Sequence, residues 1–342
     1  PYRRQRQMCI RDRQDVVDWA NKYLGPESYA IVYKREGKDP NEQKIAAPKI
    51  TPIVTNRDSQ SEFLTEIQNS KVEPIEPVFV DYKKDMSQFE AQPGIDVLYK
   101  KNETNDIFTL IYVFNTGTEN DPALNLAFNY LSYLGTDKMT AEEIASEMYD
   151  IACSFYMNAG ANQSSIQITG LSENMGKAME IVEGLIAGAK PDEAILENLK
   201  GDMLKSRADA KLNQSRCFGA LQRYLFYGGD FIRRTTLTDP ALQALTSEQL
   251  LAKIGGLMGK QHEVLYYGPQ KETEIKSALA EHHKVAADLQ PLEKKFSALL
   301  PTDANKVVLA QYDAKQLYYM QYSNRGEKFD VAADPEITLY NE

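Results

Sequence analysis

From Val97 to Pro269 the hydrophobic pattern changes type again and again, and the order of those changes limits the folds open to the chain. VLYK (Val97 to Lys100) and IFTLIYVF (Ile107 to Phe114) read as strands joined by the turn-forming Asn102 to Asp106, and Thr116-Gly117 closes the second. Asp121-Pro122 supplies an N-cap and a proline at the first helical position, with Leu124, Ala127, Phe128 and Leu131 following at helical spacing. Thr140-Ala-Glu-Glu143 is a capping-box pattern, and Ile144, Met148 and Ile151 form the apolar stripe of that second helix. Ser154 to Leu171 reads as two strands around a Gly/Asn turn. A helix follows with Met175, Met179, Val182 and Ile186 on one face, stopped by Gly188 and Pro191. A helical stretch from Asp192 to Tyr227 with a break near Gln214, a helix from Ser247 to Met258 and a closing strand HEVLYYGP (His262 to Pro269) complete the series. This order predicts an α+β fold, a two-layer repeat whose mainly antiparallel sheet is covered by helices.

The flanks read differently. Val16, Trp19, Ala20 and Tyr23 make an amphipathic helix ended by Gly25-Pro26, and SYAIVYKREG reads as a strand leaving through Gly37. Between Arg35 and Gly94 lie six of the fifteen prolines, together with apolar residues such as Ile50, Ile53, Phe63, Ile75, Val78, Phe79 and Val80. That density predicts an extended strap docked on its neighbours, with one short helix near Ser61 to Gln68. The tail from Val307 reads as two more strands. The expected organisation is a non-native scar over 1–13, the end of a preceding repeat over 14–36 and a Pro-rich strap over 37–94. The main repeat then covers 95–290, and 291–342 opens a following, truncated repeat.

The first thirteen residues carry Arg3, Arg4, Arg6, Arg11 and Arg13 against Asp12. A basic arm for nucleic acid or anionic lipid is one meaning of such a run, and a solvated tail is another. However, Met8 to Arg13 (MCIRDR) resembles the translated end of a transposon used to prepare sequencing libraries, so the run is read as a scar and set aside. Without it the chain holds 34 Lys and Arg against 48 Asp and Glu, and its net charge moves from −10 to −14. No nucleic-acid partner is expected for so acidic a chain. With 42% hydrophobic and 26% charged residues it has the composition of an ordinary globular protein. Its 342 residues exceed the ~250–300 at which single cores stop growing, so more than one folding unit is expected. No apolar run approaches the ~18 residues of a membrane span. Cys153 and Cys217, the two cysteines outside the scar, read as buried thiols.

The element order, with FTLIYVFNTGTENDPALNLAFNYLSYLGTDKMTAEEIASEMY and a hairpin ending ITGLSENMGKAMEIVEGL, resembles one repeat of the insulinase/pitrilysin zinc peptidases, the inverzincins. The likeness covers Val97 to Pro269 well and the flanks plausibly. It implies four repeats forming two halves around a peptide-digesting chamber, with this chain an internal fragment of the non-catalytic C-terminal half. The implied cofactor is zinc in the parent protein, bound elsewhere than in this fragment. The implied partners are a peptide substrate and a missing N-terminal catalytic half. The resemblance favours a periplasmic or secreted protein.

The family's catalytic repeat carries H-x-x-E-H shortly before a Gly-Thr. Two His four apart share a helix face and bind zinc, and the Glu acts on the attacking water. Anchored on Gly135-Thr136, the equivalent positions are Leu126, Asn129 and Tyr130. Leucine has no lone pair, asparagine cannot act as a general base, and a phenol with a pKa near ~10 is a poor substitute for imidazole. Glu197 falls where the family places its third ligand, but one carboxylate makes no zinc site. The three histidines are His262, His282 and His283, and none lies in a metal-binding motif. His282 and His283 read as part of a solvated helix, and His262-Glu263 as a strand start with a surface role. Tyr266-Tyr267 and Tyr318-Tyr319 read as cross-strand packing pairs, with peptide stacking the alternative. Asn102, Asn162 and Asn213 match glycosylation acceptors, a pattern short enough to arise by chance. No catalytic or metal residue is therefore expected in this chain, and the substrate-binding residues are unassigned.

Two functions fit. The first is the non-catalytic, chamber-closing half of a zinc-dependent peptidase, inactive alone. The second is a non-enzymatic, peptidase-like subunit with a binding or structural role. The resemblance also implies a Gly-rich stretch and an Arg/Tyr-bearing substrate clamp after ITLYNE.

Overall fold

The computed structural model describes residues 13–25, 27, 29–34, 37, 46–52, 59–292, 295–324, 326 and 330–341. The scar reading, Pro26 and Ile53 lie outside the described residues, apart from Arg13 at the end of the scar. The chain divides into two compact units, Pro1–Glu76 and Pro77–Glu342.

In the first unit α1 spans Arg13–Tyr23, and the Trp19 and Tyr23 rings meet at 5.3 Å on its surface. The strand expected in SYAIVY is not formed: described residues 29–34 join no ladder, and Ile31, Val32 and Tyr33 are exposed. A strand needs a partner to satisfy its backbone, and alternation alone does not provide one. α2 (Glu62–Asn69) falls where the short helix was expected, capped by Ser61 Oγ accepting from the Leu64 amide at 3.2 Å.

The second unit contains the sheet. Its elements are β1 (Ser87–Gln92), β2 (Ile95–Lys101), β3 (Ile107–Phe114), α3 (Leu124–Leu131), α4 (Ala141–Asp150), β4 (Cys153–Ala159), β5 (Ser164–Leu171) and α5 (Met175–Gly188). There follow α6 (Glu193–Lys211), α7 (Gln214–Thr235), α8 (Asp239–Ala244), α9 (Ser247–Leu257), β6 (His262–Gly268), α10 (Glu272–His282) and α11 (Asp334–Asn341). The strands lie in the order β1-β2-β6-β3-β5-β4. Only β2 and β6 pair in parallel, and the other four pairs are antiparallel. The class is α+β, as the pattern of elements predicts.

β3 explains the layering. Phe108, Leu110, Tyr112 and Phe114 are 0–1% exposed, while Thr109, Ile111 and Val113 alternate with them on a half-buried face. Slipping this central strand by one residue would turn all four large side chains outward, each worth about 1.5–3 kcal/mol of burial. Helices α3 and α5 cover the buried face, packed against β4 and β5, with α9 and α10 against them. α4 opens with the expected capping box between Thr140 and Glu143, and Ile144, Met148 and Ile151 are its buried stripe. The break expected near Gln214 falls at Leu212-Asn213, where Asn213 caps α7.

Three details differ from expectation. α3 begins at Leu124 with Ala123 at its N-cap, because Asp121 closes a tight turn: its Oδ1 accepts from the Ala123 amide at 2.9 Å and its carbonyl from the Leu124 amide at 3.1 Å. β1 forms inside the stretch read as strap, pairing Phe89 with Val97. The described residues of the tail from Val307 to Asn324 join no ladder and lie along α7 instead, with Tyr318 against Phe218 and Tyr322 against Phe226.

Candidate functional site

Gly135-Thr136 anchors the resemblance, and the structure gives it a physical reason. A Cβ at Gly135 would lie 2.6 Å from the Met139 carbonyl oxygen, so only glycine fits the turn. Thr136 Oγ1 accepts from the Lys138 and Met139 amides, both at 3.2 Å. Upstream on α3, Leu126 and Tyr130 face the core and Asn129 faces solvent. The Tyr130 hydroxyl accepts from the Asp192 amide at 2.7 Å and faces Ser247 Oγ at 2.8 Å and the Asp192 carbonyl at 3.1 Å. Glu197 points outward from α6, where it pairs at 2.7 Å with Lys200, a buried ammonium that also reaches the Gln243 carbonyl at 3.1 Å. The four positions that the resemblance aligns with the family's metal site thus pack, face solvent or pair here.

The polar side chains that do converge in the core are ones the sequence reading put on the surface. His262, at the start of β6, is 4% exposed and His283, just after α10, is 7% exposed. Their Nε2 atoms face each other at 2.9 Å. His262 Nδ1 lies 2.7 Å from the Lys260 carbonyl, and His283 Nδ1 lies 2.7 Å from Glu183 Oε1 on α5. Tyr112 on β3 donates to the same Glu183 oxygen at 2.9 Å, and the Lys284 amide donates to Glu183 Oε2 at 2.6 Å. Burial lowers the pKa of His262 from 6.5 to about 4; the charge on His283 adds to this, while the Lys260 hydrogen bond and Glu183 oppose it. Burial raises the Tyr112 hydroxyl well above 10, and the Glu183 charge and hydrogen bond add to it. The solvated helix expected for both His282 and His283 does not extend to His283. Helix α10 ends at His282, and its C-cap residue His283 turns inward at φ −82°, ψ 95°.

Other candidates resolve individually. Tyr266 is buried and stacks on Tyr99, its register partner across the parallel β2–β6 pair, at 5.6 Å and 8°. Tyr267 and Tyr319 are exposed, and Tyr318 packs on a helix residue rather than across strands. Cys153 is buried, but Cys217 is only half-buried on α7. Asn102 is 3% exposed and turns its amide onto Asn105 and the Ile107 carbonyl, so it presents no free amide, while the exposed Asn213 uses its Oδ1 to cap α7.

The class defined by this geometry is a helix-covered, mixed six-stranded sheet with buried polar anchors at Tyr130 and Glu183. No family model matches the sequence, and no curated protein matches it. Solved structures do. The periplasmic protease PqqL from Escherichia coli matches with a TM-score of 0.52 at 13% identity, covering 85% of this chain and 30% of that one. The ferredoxin protease FusC, in complex with Arabidopsis ferredoxin, matches with 0.54 at 13% identity, covering 84% and 30%. A peptidase M16 inactive domain from Pseudomonas fluorescens matches with 0.53 at 18% identity, covering 63% and 54%. The fold is that of the M16 peptidases, the insulinase/pitrilysin group the sequence resembles. The chain spans only 30% to 54% of the length of these structures.

Leu126, Asn129 and Tyr130 do not fit zinc. Tyr130 is fully buried and its hydroxyl is occupied by an amide, a carbonyl and a hydroxyl, which leaves no approach for a cation. Among the described residues no group of three or more His, Cys, Asp or Glu side chains is placed to hold a metal ion, and no helix is long and apolar enough to cross a membrane.

Proposed function

We propose that this chain belongs to a zinc-dependent M16-type peptidase and forms part of its non-catalytic half, closing a chamber over peptide or unfolded substrate. The observation that carries the reading is that α3, which the resemblance aligns with the family's metal-bearing helix, packs into the core with Tyr130 tied to Asp192 and Ser247, inside an M16 peptidase fold. The sheet face turned away from the helices supports a role as chamber wall. It carries the half-buried Thr109, Ile111, Val113, Gln167 and Leu265 beside the exposed Tyr156, and the register puts Glu263, Asp96 and Lys100 on the same face, a mixed surface that offers extended peptide apolar, polar and charged contacts. In this reading the inactive repeat runs from β1 to residue 290, the stretch from 37 to β1 is a strap and 291–342 is the approach to a following repeat. The periplasmic PqqL supports a periplasmic or secreted setting, and the ferredoxin bound by FusC supports a polypeptide substrate.

The test is zinc content and hydrolysis of a quenched peptide by the purified chain, alone and mixed with the N-terminal half encoded upstream. The chain alone should hold less than stoichiometric zinc and cleave nothing, and the mixture should cleave in a chelator-sensitive way. Stoichiometric zinc with chelator-sensitive cleavage by the chain alone overturns the assignment. An upstream half that lacks H-x-x-E-H transfers the chain to the second reading, a non-enzymatic binding subunit.

A further inference from the structure

The buried line from Lys260 to Glu183 has a proton count that its residues do not supply at neutral pH. It contains three short gaps: His262 Nδ1 to the Lys260 carbonyl at 2.7 Å, His262 Nε2 to His283 Nε2 at 2.9 Å, and His283 Nδ1 to Glu183 Oε1 at 2.7 Å. All three are hydrogen-bond distances, and each needs one proton. A carboxylate brings none and each neutral imidazole brings one, so the ordinary neutral-pH set brings two. With two protons, one gap would hold facing lone pairs in a site closed to water, where an unpaired polar contact is costly.

We propose that Glu183, His283 and His262 fold around one additional proton, and that this proton latches the segment 283–290 onto the start of β6. His283 then donates from both ring nitrogens, from Nδ1 to the Glu183 carboxylate and from Nε2 to neutral His262, whose own Nδ1 donates to Lys260. The surroundings favour this charge-separated form. Glu183 accepts from the Tyr112 hydroxyl and the Lys284 amide as well as from His283, so three donors stabilise it as a carboxylate. The Tyr112 ring lies 4.3 Å from the His283 ring, near enough for a cation–π contact.

Other charged groups near the latch are turned elsewhere. His282 Nδ1 faces Glu180 on α5 at 3.1 Å, Glu281 lies on the outer side of α10, and Glu263 on β6 receives the Asn115 amide at 3.3 Å. The Lys284 ammonium bonds the Glu281 carbonyl. The latched segment returns to β6 by Gln290, whose amide donates to the Gly259 carbonyl at 3.0 Å and whose carbonyl accepts from Gln261 at 2.9 Å. Removing the proton sets the two Nε2 lone pairs against each other and pushes His283 out, taking Lys284 off Glu183 and loosening the return to Gln290.

The 342-residue chain contains only three histidines, so this chain labelled with 15N-histidine reports the cluster directly by ring-nitrogen chemical shifts. At pH 7 one ring should show both nitrogens protonated, and a second should show one protonated and one bare; His282→Gln removes the third set. In His262→Gln the new amide donates to His283 Nε2, so His283 should revert to a single ring proton. Amide exchange of Lys284 and Gln290, corrected for intrinsic base catalysis, should lose protection by up to about tenfold per pH unit as the extra proton is titrated off the native protein and stay level in His262→Gln. A His283 ring with one proton in the native protein overturns the proposal whether or not the variant folds. Level exchange in the native protein overturns the latch even with the proton in place.

Discussion

The Tyr130 hydroxyl lies 2.8 Å from Ser247 Oγ and 2.7 Å from the Asp192 amide, so one oxygen joins α3 to the starts of α6 and α9. Ser247 and Tyr130 are both 0% exposed, and neither partner has water to fall back on. Tyr130→Phe should therefore cost about 1–3 kcal/mol through an unsatisfied amide and hydroxyl, with the helix content of the folded protein unchanged. Urea unfolding of Tyr130→Phe, Ser247→Ala and the double variant checks this. The two losses should be strongly non-additive, because one removal already breaks the contact.

That node also shows where sequence reading stops. The apolar side chains at 124, 127, 128 and 131 make α3 legible, and the order of strands and helices makes the class legible. That Leu126 and Tyr130 are not metal-binding side chains needs only the residue types. What replaces them needs the fold, because Ser247 is 117 positions from Tyr130. β1 is hidden for a related reason. SQFEAQ at a sheet edge turns only Phe89 and Ala91 toward the core, too weak an alternation to stand out beside a Pro-rich stretch. The reverse error occurs at Ile31 to Tyr33 and from Val307 to Asn324, where strand-forming residues join no ladder among the described residues. The histidine cluster was least legible of all. Its members come from β6, from the residue after α10 and from α5, and nothing local marks His262 or His283 as buried.

His262 gives the acid limb of stability a defined origin. Its folded pKa is about 4 against 6.5 unfolded, so as pH falls the unfolded chain takes up the proton first. The stability supplied by neutral His262 is whole above about pH 6.5 and is lost as pH falls through about 4. The full loss is about 3 kcal/mol at ~1.36 kcal/mol per unit. Urea midpoints of the native protein and His262→Gln at pH 7 and pH 4.5 isolate this contribution from that of the carboxylates. The native protein should lose about 2–3 kcal/mol more than the variant, and parallel losses would remove His262 as the cause.

Gly170 holds the β4–β5 register. It lies opposite Cys153, and a Cβ there would collide with Cys153 Sγ, 2.7 Å from Cys153 Cα and 2.5 Å from the Ala152 carbonyl oxygen. Ala152 itself sits at φ 51°, so the neighbouring backbone is already in the left-handed region and has little room to yield. Gly170→Ala should destabilise by at least about 1–3 kcal/mol, the usual range for overpacking. Thermal unfolding compares it with Gly184→Ala, where an added Cβ meets nothing within 4 Å and helix propensity favours alanine by up to about 1 kcal/mol. Equal unfolding temperatures for the two variants would show that β4 moves aside at no cost.

Glu197 separates a structural carboxylate from a ligand. Its side chain is 67% exposed, whereas its partner Lys200 is 6% exposed and has only the Gln243 carbonyl besides. Removing the carboxylate leaves an ammonium buried with one neutral acceptor, so Glu197→Ala should cost about 1–3 kcal/mol, more than a surface ion pair is worth. Replacing both, as Glu197→Ala with Lys200→Met, should restore most of the loss, because the buried charge leaves with its partner. Zinc titrated against the native protein and Glu197→Ala should give the same weak, substoichiometric binding. Binding that weakens in the variant while its stability holds would make Glu197 a metal ligand rather than a structural carboxylate.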